Sequence, residues 1–372
     1  MADDAGGIVN PEIVAMCGLA AVPGVGAKAL AEIKHRFGSY EEAARRGARA
    51  ILDEVQLRSP DARAYLARDP DLTGLGQWAV AAAKEAGARI LVLGDEEYPP
   101  RLATIGSSPP VLYVRGFLAR ERRRVAVVGS RDPDAEGFEL AREIGLGLAR
   151  AGVEVVSGGA RGIDTAAHEG AVEVHGPTVA VLGAGIDVVY PKENEALFRS
   201  IARVGAVITE LAPSTAPIPR NFPRRNRIVA GLSDAVILVR AAPSSGALIT
   251  AEQAWKQKRP VYAVPGSGGC DAWIASGKAA AASSVAEIFK ALDLPVPLDD
   301  ARQHPPLREP VLANEKALAL WRLLDDRTPC HVDELALRAQ IPAQEALRRL
   351  AELELKGMCL QRPGKYFLRT KG

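Results

Sequence analysis

Two different spacings of apolar residues divide the chain. Between residues 10 and 85 the apolar positions recur at helical spacing, as in residues 13–19, 29–37 and 79–83, and no segment alternates like a strand. This pattern predicts a helical domain over residues 1–85. Within it, VPGVG at 22–26 precedes a helical pattern. That string fits either the hairpin of a helix-hairpin-helix unit, whose amides can hold a phosphate, or a tight turn between packed helices.

From residue 86 onward, short β-prone segments alternate with helical stretches. Residues 89–93 and 111–114 come first, separated by a proline-rich turn at 98–100. Six apolar runs follow, at 125–128, 153–156, 178–182, 206–209, 235–239 and 261–264. Such runs are typical of strands buried on both faces, and the spacers suit crossover helices. The pattern predicts an α/β domain over 86–290 with a parallel, doubly wound sheet, whose ligands bind beyond the carboxyl ends of the strands.

The C-terminal part of the chain has a third pattern. Prolines and scattered charges at 291–312 predict an extended linker. The domain that follows, 313–372, has three helical patterns and two short β-prone segments around the basic string RPGK at 362–365. This is the outline of a winged helix. Its possible recognition helix offers Arg348 and Arg349 but also three glutamates, which favours protein contact or an accessory role on DNA over tight binding.

Composition limits the class of protein but not its partner. The chain has 372 residues, of which 48% are hydrophobic and 25% charged, as in ordinary globular proteins, and its net charge of +2 does not point to a polyanion. The four cysteines form no C-x-x-C pair and the five histidines have no metal-site spacing, so neither a disulfide framework nor a metal site is predicted. No basic leader or long apolar segment is present, which predicts a cytoplasmic protein without a membrane partner.

Candidate binding chemistry follows the predicted strands. Glycine and serine let backbone amides approach an anion, arginine and lysine bind phosphate, and an aromatic ring in a polar loop can stack on an unpaired base. The candidate residues are Gly129, Ser130, Arg131, Gly159, Arg161, Gly162, Lys192, Asn221, Phe222, Arg224, Arg225, Asn226, Arg227, Ser245 and Gly246. Several anion-binding segments along one sheet edge suit a polymer of phosphates better than a small phosphate ligand.

The usual signatures of a nucleotide cofactor or of catalysis are missing. There is no G-x-G-x-x-G after the first core strand and no G-x-x-x-x-G-K-[ST] string, so no cofactor is predicted. Asp164 and His168 are four residues apart, and we interpret them as a helix cap and a solvated histidine rather than an acid–base pair. Since no nucleophile with a matching base emerges, the sequence favours a binding protein that is not an enzyme.

The chain resembles the family of DNA-processing protein A, also called DprA or Smf. The resemblance rests on six strings in the same order: VGSR at 128–131, SGGARGIDTAAH at 157–168, GAGIDVVYP at 183–191, NFPRRNRIVAGL at 221–232, SGALITA at 245–251 and VPGS at 264–267. It implies an extended Rossmann-like domain between a SAM-like helical domain and a winged helix. It also implies that the protein binds single-stranded DNA, forms a homodimer and helps to load the recombinase RecA during natural transformation, with DNA contacts at Arg131, Arg161, Lys192 and 221–227.

Two other functions compete with this interpretation. A nucleotide-processing enzyme on a related Rossmann fold, such as a phosphoribohydrolase, would carry P-G-G-x-G-T-x-x-E. The nearest strings, at 245–250 and 265–270, lack the glutamate. A regulator that reads double-stranded DNA through its winged helix would bind tightly through residues 313–372 alone.

Overall fold

Five helices make up the part of the chain that precedes the first strand. In the computed structural model, which describes residues 10–295, 314–324, 329–362 and 364–370, these helices are α1 (Pro11–Ala21), α2 (Ala27–Phe37), α3 (Tyr40–Glu54), α4 (Pro60–Leu66) and α5 (Leu72–Glu85). Four of them begin at a side chain that accepts a hydrogen bond from the first turn, namely Asn10, Ser39, Ser59 and Asp71. The buried residues of α2 are Leu30, Ile33 and Phe37, so the helical spacing of the sequence packs one face of this helix into the core.

A sheet of nine strands follows. The strands are β1 (Arg89–Val92), β2 (Val111–Gly116), β3 (Arg124–Gly129), β4 (Glu154–Ser157), β5 (Thr178–Val181), β6 (Ala206–Thr209), β7 (Ala235–Val239), β8 (Val261–Ala263) and β9 (Ala280–Ala281). Their spatial order is β1-β2-β6-β5-β4-β3-β7-β8-β9. Strands β3 to β9 pair in parallel, while β1 and β2 extend the sheet in antiparallel fashion. The six predicted core strands, β3 to β8, therefore form the parallel part of the sheet together with the short β9.

Helices cover both faces of this sheet. They are α6 (Pro100–Ala103), α7 (Ala135–Arg150), α8 (Ile163–Glu173), a short 3₁₀ helix (Lys192–Asn194), α9 (Glu195–Val204), α10 (Asn221–Leu232), α11 (Ala247–Lys256), α12 (Gly268–Ala275) and α13 (Val285–Ala291). Along β3, Val125 and Val127 join the core under α7 and α8, whereas Ala126 and Val128 join the core under α10 and α11. This alternation explains why every residue of the strand interior is apolar.

Two details of this region differ from the sequence prediction. Pro100 begins the short helix α6, so 98–100 is more than a turn, and the hydroxyl of the buried Tyr98 donates to the carbonyl of Pro109 at 2.7 Å. Helix α10 begins at Asn221, so the candidate residues of 221–227 lie on a helix and not in a polar loop.

The register of β2 determines which residues share an edge with the phosphate-type loops. Val92 at the end of β1 pairs with Val111 at the start of β2, and Tyr113 pairs with Thr209 at the end of β6. Since β2 runs opposite to β6, its first residues lie beside the carboxyl ends of the parallel strands. The segment before β2 thus borders the edge where a ligand is expected.

The chain divides into two compact units, Met1–Pro295 and Val296–Gly372, and the predicted linker lies outside the described residues from residue 296 on. The second unit contains α14 (Glu315–Leu323), β10 (Cys330–His331), α15 (Val332–Ala339), α16 (Ala343–Leu355), β11 (Cys359–Arg362) and β12 (Tyr366–Arg369). Its three strands form an antiparallel sheet in the order β10-β12-β11. Three helices with this hairpin make the predicted winged helix. Among the described helices of both units, none is long and apolar enough to cross a membrane.

Candidate functional site

A cleft of about 550 Å³ lies beyond the carboxyl ends of the parallel strands. The loops after β3, β4 and β7 line it together with the start of α10, because parallel strands end at one edge of the sheet. The predicted residues that line the cleft, or the small cavity that continues from it, are Gly129, Ser130, Arg131, Gly159, Arg161, Phe222, Arg225, Asn226, Ser245 and Gly246. The other predicted residues, Gly162, Lys192, Asn221, Arg224 and Arg227, do not line it.

Gly129 allows β3 and β7 to end side by side. A Cβ atom on Gly129 would lie 1.8 Å from the carbonyl oxygen of Val239 at the end of β7. The amide of Ser130 donates to the carbonyl of Arg240 at 2.7 Å, and the carbonyl of Ser130 accepts from the amide of Ile163 at 3.0 Å. The loop after β3 is thus tied to its neighbours on both sides, and Arg131 projects from it in an exposed position.

The glycine loop after β4 is held by a carboxylate of the chain itself. The amides of Gly158 and Ala160 donate to Oδ2 of Asp164 at 3.1 and 3.4 Å, and the Asp164 side chain is buried. These two amides of the glycine loop are therefore bonded within the protein and are not free to bind a phosphate. No hydrogen bond within the described part of the chain engages the amides of Arg161 and Gly162, so these remain for a ligand.

Asp164 does not cap α8 and His168 is not solvated, which corrects both sequence interpretations. The ring of His168 is fully buried, with Nδ1 2.7 Å from Oγ1 of Thr178. That hydroxyl donates to the carbonyl of Val155 at 2.9 Å, so its oxygen accepts a hydrogen bond from the Nδ1–H of the imidazole. Burial lowers the pKa of His168 to about 3, and the charge of Arg225 acts in the same direction. Burial also raises the pKa of Asp164, against the attraction of Arg225 and the two amides.

Acidification is expected to destabilise the protein through His168. An exposed histidine in the unfolded chain has a pKa of about 6.5, whereas burial lowers the pKa of the folded His168 to about 3. Between these values the unfolded state binds more protons, so the free energy of unfolding falls as the pH drops below about 6.5, by up to about 1.4 kcal/mol per pH unit from this group.

Urea unfolding at about pH 5 and about pH 7 measures this loss, and a His168→Asn variant should lose less stability over the same interval. NMR signals of the His168 ring should stay constant between these pH values. A ring that titrates there in the native protein would contradict the assignment.

The arginine string on α10 is largely neutralised by acids from distant parts of the sequence. Arg220, just before the helix, pairs with Asp61 at 2.6 Å, and Arg227 pairs with Glu210 at 2.6 Å with both side chains largely buried. Among the arginines of this string, Arg224 alone is exposed and forms no ion pair with the described residues. The acid-free stretch of sequence is therefore not a free cluster of cations, and the prediction that Arg227 contacts phosphate is not supported by its position.

Arg225 lies at the floor of the cleft and not on its surface. It is 5% exposed and donates from Nη1 to the carbonyl of Val181. Its guanidinium packs on Gly158 so closely that a Cβ there would lie 2.0 Å from Nη1. Burial lowers the pKa of Arg225 to about 10, so the group remains charged at neutral pH. Its DNA contact stays a prediction, and from this buried position Arg225 places a positive charge beneath the cleft and beside Asp164.

Both asparagines of the string serve the structure of the site. Asn221 is buried and donates to the carbonyl of Ala216 at 3.2 Å, which fixes the start of α10. Asn226 is buried and donates to the carbonyl of Gly246 at 3.2 Å. Through this bond α10 holds the loop after β7, which brings Ser245 and Gly246 to the cleft.

An aromatic pair with a cation beside it stands in the cleft. The ring centres of Phe222 and Tyr190 lie 5.5 Å apart, and the guanidinium of Arg131 lies 5.5 Å from the centre of the Phe222 ring. Tyr190 is 44% exposed. Tyr190 is not among the residues predicted from the sequence, although it lies in a polar loop of a chain that is poor in aromatics. That position was the available signal.

The remaining predicted residues lie at or beyond the rim. Lys192 is exposed in the 3₁₀ helix and does not line the cleft. Arg161 lines the adjoining cavity, and its Nε is 3.8 Å from Glu193 with both side chains more than half exposed. Gly162 has a φ of 76° and packs against the carbonyl of Ser130. Of Arg161 and Lys192, Arg161 is therefore the cation that borders the cavity next to the cleft.

In the second unit, α16 uses one of its two predicted arginines internally. Arg349 is 15% exposed in its side chain and bonds to Glu352 at 3.0 Å, whereas Arg348 is 66% exposed. Glu354 accepts the amide of Gln361 at 2.8 Å and so supports the hairpin. The side chain of Arg362 and the whole of Pro363 lie outside the described residues. Of the two predicted arginines on α16, only Arg348 is therefore exposed enough to contact a partner.

Sequence comparison decides the family. Residues 89–293 match the model described as DNA recombination-mediator protein A, and residues 302–365 match the DprA winged helix domain. The chain belongs to the DprA family. Its two matched regions confirm the predicted resemblance and the winged helix. Among the described residues of this DprA-family chain, no group of three His, Cys, Asp or Glu side chains is arranged to hold a metal ion.

Two relatives in the DprA family match half and three quarters of the chain. Protein Smf of Escherichia coli is 37% identical over 289 residues, which are 74% of this chain and 76% of that protein. Protein Smf of Synechocystis is 42% identical over 189 residues, which are 50% of this chain and about half (48%) of that protein.

Two solved DprA structures resemble the fold. The Streptococcus pneumoniae DNA processing protein A is 29% identical, with a TM-score of 0.58 over 76% of this chain and 98% of that one. The Helicobacter pylori protein, whose structure is described for its single-stranded DNA binding mode, is 28% identical, with a TM-score of 0.51 over 56% of this chain and 97% of that one. These matches confirm the predicted fold class.

Proposed function

We propose that this protein binds single-stranded DNA in the cleft at the carboxyl edge of its sheet and does not act as an enzyme. The observation that carries the proposal is the group formed by Arg131, Phe222 and Tyr190, in which the guanidinium and the tyrosine ring each lie 5.5 Å from the centre of the Phe222 ring. Unpaired bases stack on such rings and the phosphates between them are attracted by such a cation. The binding mode described for the Helicobacter pylori relative supports the same ligand.

The cleft supplies each part of a nucleotide with a partner. Arg131 and Arg161 are exposed and reach a phosphate from the loops after β3 and β4, while the buried Arg225 adds positive potential from below. Phe222 and Tyr190 offer faces to the bases. Since these contacts address phosphates and ring faces rather than base edges, binding is expected to depend little on sequence.

The family membership supports two further parts of the proposal. We infer that the bound strand is passed to RecA during natural transformation, and that the protein acts in the cytoplasm as a homodimer. Assembly of RecA filaments on single-stranded DNA, followed with and without this protein, tests the first part. Light scattering of the purified chain tests the second.

Replacing Arg131 by Ala is expected to weaken binding of an oligothymidylate about tenfold, because a phosphate loses its cation and Phe222 loses the guanidinium beside its ring. The slope of log affinity against log salt should fall by about 0.7, the value for one contact to a single strand. Fluorescence anisotropy at two salt concentrations measures both quantities.

The matched control is Arg203→Ala. Arg203 is an exposed arginine at the end of α9, directly before β6 and therefore at the opposite edge of the sheet. It should leave both affinity and slope unchanged. Equal affinity of the unmodified protein for single- and double-stranded DNA would refute the proposed function, and release of base from nucleoside monophosphates would show an enzyme instead. Tight DNA binding by residues 313–372 alone would shift the site to the winged helix.

A further inference from the structure

A second cleft, also of about 550 Å³, lies between α2 and the segment that precedes β2. We call it the α2 groove and define it by its lining residues Lys28, Ala31, Lys34, His35, Leu93 and Ser107. Lys28, Ala31, Lys34 and His35 follow one another along α2 at intervals of three, three and one residues. This spacing places them on one face of the helix. The opposite wall comes from Leu93, directly after β1, and from the segment before β2. The groove therefore has apolar surface inside and cations along one rim.

The basic side chains of the α2 groove have few partners among the described residues. Lys28 and His35 are exposed, and no hydrogen bond or ion pair engages either side chain within the described residues. Lys34 is 52% exposed, lies 3.6 Å from Glu12, and its ammonium is 5.1 Å from the centre of the Tyr40 ring. Within the described part of the chain, no acidic side chain lines the groove. Its charge thus suits an anionic partner.

The α2 groove lies on the same sheet edge as the DNA cleft. The start of β2 is beside the carboxyl ends of the parallel strands because Tyr113 pairs with Thr209 in antiparallel register. Five strand intervals of about 4.8 Å separate β3 from β1 in the sheet order, so the two clefts lie about 24 Å apart along the edge. One extended polyanion can span both, whereas a single phosphate or nucleotide cannot.

Arg224 connects the two clefts. It follows Phe222 on the exposed side of α10, and its Nη2 lies 3.3 Å from the position that a Cβ on Gly26 would occupy. Gly26 immediately precedes α2 and Lys28. Exposed cations therefore follow one another from Arg131 past Arg224 to Lys28 and Lys34.

We propose that the α2 groove extends the path of single-stranded DNA, so that a strand leaving the aromatic pair passes Arg224 and is held along α2 by Lys28 and Lys34. This inference rests on the proposed function of the first cleft. The VPGVG hairpin at 22–26 then has a role in DNA binding, because it places the start of α2 beside Arg224. The N-terminal helices then act as part of the binding surface, and their contribution depends on the length of the strand.

The test compares the double variant K28A/K34A with the control R68A/K84A in the full-length protein. Arg68, in the turn after α4, and Lys84, on α5, are exposed and lie outside both clefts, and their replacement changes the charge equally. Binding of oligothymidylates of about 6 and about 20 nucleotides is measured at two salt concentrations, after thermal unfolding has established that both variants fold like the unmodified protein.

K28A/K34A is expected to lower affinity for the long oligonucleotide about tenfold and to reduce its salt slope by about 1.4, twice the value for one contact. The short oligonucleotide, which fills only the first cleft, should bind as before, and the control should bind both normally. If K28A/K34A behaves like the control, or weakens both lengths equally, the inference is overturned while the proposed function stands. Absence of single-stranded DNA binding in the unmodified protein overturns both.

Discussion

Replacing Arg225 by Ala is expected to remove about 3 to 5 kcal/mol from the free energy of unfolding. The change takes a buried positive charge away from Asp164, whose carboxylate is itself buried. It also removes the donor to the carbonyl of Val181 and leaves a void against Gly158. Because both losses are at the floor of the cleft, DNA affinity should fall together with stability. Urea unfolding followed by circular dichroism measures the first effect.

The neighbouring arginine is the control for this prediction. Arg224→Ala removes the same charge from the exposed side of α10, so its free energy of unfolding should stay within about 0.5 kcal/mol of the original. Similar stabilities for the two variants would mean that Arg225 is not the buried partner described above. Arg225→Lys should recover only part of the loss, since an ammonium cannot pack flat on Gly158 as the planar guanidinium does.

Replacing Gly129 by Ala is expected to cost about 3 kcal/mol or more. The new methyl group would lie 1.8 Å from the carbonyl oxygen of Val239 and 2.6 Å from Cγ1 of Ile163. Since β3 and β7 are paired from Val125 to Gly129, neither backbone can withdraw without breaking hydrogen bonds of the ladder. The midpoint of thermal unfolding should be much lower. Single-stranded DNA binding should be lost if the substitution displaces the loop after β3.

Gly246→Ala is the matched control for Gly129. Gly246 also lines the cleft, but no heavy atom lies within 4 Å of its potential Cβ, and its φ of −61° suits alanine. Stability should therefore change by less than about 0.5 kcal/mol. A Gly129→Ala protein as stable as Gly246→Ala would contradict the close approach of β3 and β7.

Much of the fold could be predicted from the sequence because its signals are local. A run such as 125–128 is apolar at every position, and this identifies a strand buried on both faces without knowledge of its neighbours. The order of the runs then places the loops after β3, β4 and β7 at one edge. This is why Arg131, Ser245 and other predicted residues do line the cleft.

The roles of the residues on α10 could not be predicted in the same way. The position of Arg225 depends on where the helix begins, since a start at Asn221 puts Asn221, Arg225, Val229 and Leu232 on one buried face. When residues 221–227 are assigned to a loop, the helical spacing of these buried positions is not apparent. The partner of Arg227, Glu210, is seventeen residues away, and no local pattern connects them. The Tyr190 and Phe222 pair is likewise formed by segments that meet only in the folded chain.

The carboxylate of Asp164 has a consequence for the kinetics of association. By accepting the amides of Gly158 and Ala160, it gives the glycine loop its final shape before any ligand arrives. A strand that docks there does not have to wait for the loop to close, and little conformational entropy is lost on contact. The rate of capture is then set by diffusion and by the attraction of the arginines, so it should fall steeply as salt screens them. Differences in affinity among loop variants will accordingly be found in the lifetime of the complex.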